Sequence, residues 1–389
     1  MDTDTVKGFQ DLTGQEAEKL AIVREVIRQA FERYGFQPAQ TPIVEYEEFV
    51  RGDNTNDEAV SDIFKLQDKG KRNLALRYEF TFQLKRLMQN KKLPYKRYQI
   101  GPVFRDEPVT GNRLRQFTQC DVDIIGATIK DEAEILALTS DIMNALKIPS
   151  IIYFNNRKLL NEILEELKIT QKQEVLKEID KLDKLPIEEV KENLKKYNAE
   201  KILDIVKQKK DYFKKYPSFK EIEEFEKYCK NFNVKVNFAP FLARGLSYYN
   251  RTIFEVKSKD IKETITAGGS YIFNNVQSTG ISFGLERISK VTKLQFKLEK
   301  YLLVSLDQDK QTIQLAKDLR KQGKLTSIFY GKPSKALEYA NSYNINNVIF
   351  IGAKEIKLKK FKIKNMQTGK EKMVTLQQIK KGNIVLRKK

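Results

Sequence analysis

Residues 97–126, RYQIGPVFRDEPVTGNRLRQFTQCDVDIIG, constrain this chain more than any other stretch. They read as two strands joined by a turn. Tyr98-Gln99-Ile100 and Val103-Phe104 supply the first strand, Val122 and Ile124-Ile125 the second, and Thr110-Gly111-Asn112 carries turn chemistry between them. Arg105, Arg113, Arg115 and Glu107 fall on or beside this hairpin. A guanidinium is planar, keeps its charge and presents a fork of donors, so it suits phosphate. A charged hairpin is often only a solvated one. The residues alone leave a phosphate site and a surface ion-pair cluster both open.

At 389 residues the chain is long enough for two or three domains with a substantial core. No apolar run approaches the ~18 residues of a membrane span, so no membrane partner is expected. The start, MDTDTVKGFQDL, is polar and does not read as a signal peptide. Cys120 and Cys229 make neither a disulfide framework nor a zinc spacing, so a reducing, cytoplasmic setting is expected. The net charge of +20 favours a polyanionic partner, although a lysine-rich genome would also raise it. Its asymmetry says more. Residues 354–389 hold 13 Lys or Arg, against Glu355 and Glu371 as the acids.

Histidine and tryptophan are both absent. That removes every Ser-His-Asp triad, imidazole base and His-ligated metal. Any chemistry must run on arginine, carboxylates and bound metal. Chance, selection and deliberate removal all stay open as the origin of the absence.

Along the chain, Leu20, Val23, Val26, Ile27, Ala30 and Phe31 give residues 16–34 a helical stripe. Gly35 stops it and an extended segment runs to Pro42. Residues 63–66 and 73–77 flank Asp68-Lys69-Gly70 as a hairpin. Helices are expected over 81–90, 131–146 and 158–167, with a strand at 151–154. From about 170 to 219 glycine disappears, and Lys and Glu alternate with Leu and Ile at helical spacing, which predicts a helical insertion. Strands resume at 235–238, 251–256 and 264–267, with Gly268-Gly269 after the last. Consecutive strands with few helices imply a mostly antiparallel sheet. After residue 299 strands (301–306, 326–330, 347–351) alternate with helices (309–322, 334–343), as in a separate α/β domain with parallel strands. Gly331-Lys332-Pro333-Ser334 lacks the spacing of a P-loop.

The motifs are more specific than the composition. Phe104-Arg105-Asp106-Glu107, a loop, then Arg113-x-Arg115-Gln116-Phe117 resembles motif 2 of class II aminoacyl-tRNA synthetases. Gln119-Cys120-Asp121-Val122-Asp123-Ile124-Ile125-Gly126 resembles the histidyl branch. Lys7-Gly8 with Asp11, Leu76-Arg77-Tyr78-Glu79-Phe80-Thr81, Leu242-Ala243-Arg244-Gly245-Leu246-Ser247-Tyr248-Tyr249 and Gly280-Ile281-Ser282-Phe283-Gly284-Leu285-Glu286-Arg287 resemble that family's entry, amino-acid-binding, signature and motif 3 segments, in order. The helix and proline before residue 42 resemble motif 1. The resemblance covers essentially the whole chain. It implies an α+β catalytic domain on a mostly antiparallel sheet, made of residues 1–168 and 219–296. It also implies a helical insertion at 169–218, an anticodon-binding α/β domain at 299–389, and a homodimer. The implied reaction joins L-histidine to tRNA(His), using ATP and Mg2+.

Adenylation is displacement at the α-phosphorus of ATP by a carboxylate. The nucleophile is already an anion, so the demand is for fixed cations and not for a base. The absence of histidine therefore costs nothing. The resemblance assigns Arg105 to the α-phosphate and the amino-acid carboxylate, with Arg244 opposite it as the second catalytic cation. It assigns Arg113 and Arg287 to the outer phosphates, Glu107 to the adenine amino group and Phe117 to stacking on the ring. No protein-held metal is expected. Asp123 and Tyr249, with Tyr248 beside them, would read the imidazole, while Glu79 and Gln119, helped by Thr81, would hold the α-ammonium. Such polar readout rejects apolar competitors by ~10⁴ or more. The sequence departs from the family at Tyr78 (proline), Ser247 (aspartate) and Thr118 (an aromatic or histidine). It departs again at Ser270 and Ile272 (arginine and aspartate), with Tyr271 kept. Two rivals are a catalytically silent paralogue regulating histidine biosynthesis and a non-enzymatic nucleic-acid accessory subunit. Arg105, Arg113, Arg244 and Arg287 argue against the first, and Glu79, Asp123 and Tyr249 against the second.

Overall fold

The structure, a computed structural model, describes residues 3–52, 60, 62–110, 113–183, 185–243, 248–294 and 298–381. The chain divides into two compact units, residues 1–294 and 295–389.

The first unit holds β1 (Gln37–Pro38), β2 (Val44–Tyr46), β3 (Lys65–Gln67), β4 (Asn73–Leu76), β5 (Tyr95–Phe104), β6 (Gln116–Ile125), β7 (Ile151–Asn156), β8 (Asn237–Phe238), β9 (Tyr249–Lys257), β10 (Thr266–Phe273) and β11 (Val276–Gly284). Eight of them form one sheet in the order β1-β5-β6-β11-β10-β9-β7-β8. All its pairings are antiparallel except those of the short edge strands, β1 with β5 and β8 with β7. β2, β4 and β3 make a separate small sheet.

Alternation along β6 explains how the large sheet is used. Cys120, Val122 and Ile124 point to one face and are closed to solvent. That face packs on the helix Gly14–Arg33, whose buried Val23, Ile27, Ala30 and Phe31 recur at helical spacing. Phe31 reaches Tyr98 of β5 and Phe283 of β11, with ring centroids 5.5 and 5.8 Å away. A buried ring of this size contributes on the order of 1.5–3 kcal/mol. Ile129–Ala145 and Phe219–Asn231 pack together as further cover. The odd residues of β6, from Phe117 to Asp123, belong to the opposite face, which carries the polar groups described below.

Between β7 and β8 lie the helices Arg157–Glu166, Lys172–Asp180, Ile187–Lys195, Ile202–Ile205 and Phe219–Asn231. They bury an apolar stripe that includes Val175, Ile179, Val190, Leu194 and Ile202.

The second unit is a five-stranded sheet of β12 (Lys300–Ser305), β13 (Leu325–Tyr330), β14 (Asn347–Ile351), β15 (Lys360–Asn365) and β16 (Glu371–Thr375), in the order β13-β12-β14-β15-β16. The helix Asp309–Lys321 buries Leu315, Ala316 and Leu319 with Leu303 and Ile349. The helix Pro333–Ser342 buries Ala336 and Ala340 with Leu302, Val304 and Val348, the strand residues of opposite parity. The sheet is therefore covered on both faces.

Three expectations need correction. The helix expected over 81–90 is only Leu84–Leu87. Phe80, Phe82, Gln83 and Leu84 are all buried, which no single helical face allows, and the Gln83 amide donates to Pro42 O (2.9 Å) and Glu45 Oε1 (2.7 Å). Gly268 and Gly269 lie inside β10, not after a strand, because β10 runs on to a hairpin at Asn274-Asn275, both at positive φ. The last unit is not wholly parallel. β15 and β16 extend it antiparallel, and their lysine alternation hid them as a merely basic tail.

Candidate active site

Register places the polar face of the first sheet in rows. Arg97 of β5 sits opposite Asp123 of β6, which sits opposite Gly280 of β11, which sits opposite Gly269 of β10. The next row is Gln99, Asp121, Ser282 and Ala267, and the next begins with Gly101, Gln119 and Gly284. Alternate residues of a strand are about 7 Å apart, so Phe117 to Asp123 spans about 20 Å along one face. That is room for a nucleotide at one end and an amino acid at the other.

The glycines in these rows keep the face open. A Cβ on Gly280 would press on the Asp123 carboxylate and lie 2.8 Å from Val122 O. One on Gly269 would lie 2.9 Å from the Tyr249 ring.

At the Asp123 end is a cavity lined by Asp121, Asp123, Tyr248, Tyr249, Tyr271 and Ser282, with Ala267, Gly268, Gly280 and Ile281. Asp123 is held from two sides. Arg97 Nη2 lies 2.7 Å from its Oδ2, and Tyr271 Oη donates to its Oδ1 at 2.5 Å. The Tyr248 ring packs tilted against Tyr249 (4.7 Å) and meets Tyr271 edge-on (5.7 Å). Burial first, then neighbouring acids, holds the Tyr271 hydroxyl above its ordinary range, so it stays a donor. Gln119 donates to Ser282 Oγ at 2.9 Å, which leaves its buried Oε1 without a partner. Glu79 and Thr81 lie outside the cavity lining, but the charge of Glu79 acts on Asp121, Tyr248 and Tyr271.

At the other end the arginines gather. Arg105 donates through Nε to Tyr78 O (3.2 Å), and its guanidinium lies 5.3 Å from the centre of the Phe117 ring. Glu107 lies 3.1 Å from Arg113 and 3.8 Å from Arg105. Arg287 donates to Thr264 O at 2.7 Å. Burial lowers its pKa, and Arg113 and Arg105 push it further down while Glu263 and Glu107 oppose. Glu107 thus brings Arg105 and Arg113 together, and Arg287 is near enough to feel both charges. Arg115 instead pairs with Asp106 at 3.0 Å and donates to Glu107 O. Arg244, with Ser247, lies outside the described residues.

Two departures acquire a setting. Tyr78 is buried, stacks on Phe82 and lends its carbonyl to Arg105. Ser270, where the family carries arginine, is buried beside Glu132, which also accepts from Thr252 Oγ1. Arg251 Nε, 3.8 Å from Glu132, supplies a positive charge there.

Arg97, Asp121 and Tyr271 are functional candidates that motif reading passed over. Strand parity was the available signal for the first two. Each shares its face with Asp123 or pairs with it, but only register shows the pairing.

A family model described as histidyl-tRNA synthetase matches residues 8–288, and one described as anticodon binding domain matches residues 300–382. The chain belongs to the histidyl-tRNA synthetase family. It is 33% identical to a protein of Bacillus cereus named histidine–tRNA ligase 1, over 98% of this chain and 97% of that protein. Its fold matches the crystal structure of histidyl-tRNA synthetase from Nostoc sp., with a TM-score of 0.85 and 25% identity over 98% of this chain and 99% of that one. An ATP phosphoribosyltransferase regulatory subunit/histidyl-tRNA synthetase from Bacillus halodurans also shares the fold, at a TM-score of 0.77. At 18% identity, over 90% of this chain and 98% of that one, it speaks to fold alone.

Among the described residues no helix is long and apolar enough to cross a membrane. No three Asp, Glu or Cys gather there as a metal cage.

Proposed function

We propose that the chain is a histidine–tRNA ligase: it activates L-histidine with ATP and passes the histidyl group to the 3′ end of tRNA(His). The observation that carries this reading is the pair Arg105 and Arg113 gathered around Glu107, with Arg105 over Phe117 at one end of the sheet face whose other end holds the Asp123 cavity. Converging cations repel one another, so the arrangement favours a polyanion. The histidine carboxylate attacks the α-phosphorus, a P–O bond forms to the amino acid, and pyrophosphate leaves. Arg105, and on the resemblance Arg244, would spread the charge that develops at phosphorus.

Phe117 and Glu107 would hold the adenine end, and Arg113 and Arg287 the outer phosphates. Mg2+ would enter with ATP as part of the substrate. Asp123 and Tyr249 would hold the imidazole, with Tyr248 packing beside them. Gln119, with a bare Oε1, would accept from the α-ammonium together with Glu79 and Thr81. The second unit, with 18 Lys or Arg against 6 Asp or Glu over residues 300–381, would contact the tRNA. A homodimer through the N-terminal helix and a cytoplasmic location complete the reading. The domain limits carried with it are 1–168 with 219–296, 169–218 and 299–389.

A silent regulatory paralogue could share the fold, but it would have no need of the three arginines. Histidine-dependent exchange of pyrophosphate into ATP tests the reading. Exchange with histidine and with no other amino acid is expected. A folded protein that binds ATP but never exchanges would overturn it.

A further inference from the structure

The lining of the cavity at the Asp123 end includes two buried carboxyls, and the cation paired with one of them, Arg97, lies outside that lining. Asp121 and Asp123 are successive residues on the same strand face, both at least nine-tenths buried. Arg97 is committed to Asp123 at 2.7 Å. Asp121 faces Gln99 across β5 and Ser282 across β11, neither of which carries charge. The other groups around it are Glu79, Asp123, Tyr248 and Tyr271, which are acidic or neutral. Its Oδ1 has no hydrogen-bond partner. A buried carboxylate oxygen left so is costly, whereas a carboxylic acid in the same place is a donor in need of an acceptor.

Neutral imidazole presents one N–H and one bare nitrogen. Asp123, whose Oδ2 lies 2.7 Å from Arg97 Nη2, offers acceptor oxygens that suit the N–H. The bare nitrogen has one lone pair and needs one donor. Resting on the reading of this site as a histidine pocket, we infer that Asp121 is a specificity residue whose carboxyl holds a proton and presents it to the bare ring nitrogen, while Asp123 accepts from the ring N–H. Asp121 takes the donor role in place of the Tyr249 hydroxyl, leaving Tyr249 to pack against the ring. It shares the cavity lining with Asp123 and Tyr249, the two groups assigned to the ring. The contact holds one proton between carboxyl and ring, whichever atom carries it. Burial is the first cause that raises the Asp121 pKa to about 7, with Asp123 and Glu79 adding to it and Arg97 and Ser282 opposing. The acid form is therefore available at neutral pH.

The test is calorimetric titration of the full chain with L-histidine between pH 7 and 8.5. Wild-type affinity should fall roughly tenfold over that range, with proton uptake rising toward one per histidine bound, because the complex needs a proton that free Asp121 has lost. Asp121→Asn keeps an N–H donor. It should bind histidine within a few fold of wild type at pH 7, and the fall and the uptake should vanish. Asp121→Ala should bind at least tenfold more weakly with ATP affinity unchanged. A role in folding alone would not remove proton uptake. If Asp121→Asn keeps the wild-type fall, or Asp121→Ala binds normally, the inference is wrong while the pocket assignment stands. If wild type binds no histidine at any pH, the pocket assignment fails and the inference fails with it.

Discussion

Arg97 and Asp123 face each other across β5 and β6, Nη2 2.7 Å from Oδ2, with almost no solvent on either side chain. Arg97 Nε and Nη1 have no hydrogen-bond partner, so Asp123 and Phe80 O (3.2 Å) take what the guanidinium gives. An arginine this deep is tolerated only because it meets a carboxylate. The pair fixes the position of the Asp123 carboxyl at the end of the cavity.

Removing one partner of a buried pair strands the other. Arg97→Met should cost about 3–5 kcal/mol of stability in urea unfolding. Arg97→Met with Asp123→Asn should recover part of that loss, because no buried charge is left alone. Equal loss in single and double variants would show that the arginine acts by packing alone.

Gly280 is the floor under Asp123. Gly280→Ala should push the carboxylate aside, since the added methyl also meets Val122 O at 2.8 Å. Histidine KM in pyrophosphate exchange should rise by more than tenfold while ATP KM stays within about twofold, because the arginines lie at the other end of the face. Parallel rises in both would mean a general distortion of the sheet.

Arg105 is anchored by Tyr78 O and packed on Phe117, which fixes its fork before ATP arrives. Arg105→Ala should lower the rate of adenylate formation by two or more orders of magnitude, the loss of one preorganised cationic contact. ATP affinity should change far less, since Arg113 and Arg287 remain. Single-turnover rates at saturating ATP decide the matter.

Asp121 also gives stability a pH dependence. Its folded pKa, about 7, lies above the ordinary 3.8, so the folded state binds a proton that the unfolded chain has released. That contribution is full below about pH 4 and is lost as pH rises through about 7, at about 1.4 kcal/mol per pH unit in between. Asp121→Asn removes the titration. Denaturation midpoints at pH 5 and pH 8 should show the variant gaining on wild type at pH 8. An identical gap at both values would place the Asp121 titration outside this range.

Much of this was legible in the chain. The Phe117, Gln119, Asp123 series declares one strand face by period two, and the pairing of β5 with β6 was expected from the two strands themselves, while Gly111 and Asn112 of the expected turn lie outside the described residues. What stayed hidden is what depends on partners far along the sequence. Arg97 reads as one more surface cation until β5 and β6 are set in register. Gly280 is only a motif glycine until Asp123, more than 150 residues earlier, is seen against it. Gln83 carries a helix-compatible sequence, yet its amide is spent on Pro42 and Glu45, and the helix shrinks to four residues.

The second unit separates the two halves of the proposed reaction. Contacts divide the chain at residues 294 and 295, so a protein ending at residue 297 should keep the first sheet and its site. Adenylate formation should survive in it, because every described residue assigned to ATP or histidine lies in the first unit. Charging of tRNA should drop steeply, and more for the cognate tRNA than for others, since phosphate contacts position while base contacts specify. In the full chain, tRNA affinity should weaken steeply with salt, as expected where 18 basic residues face 6 acids. The truncated protein should show a shallower salt slope. Equal charging of the cognate tRNA by the two proteins would remove the anticodon role from residues 298–389 and leave the first unit sufficient for recognition.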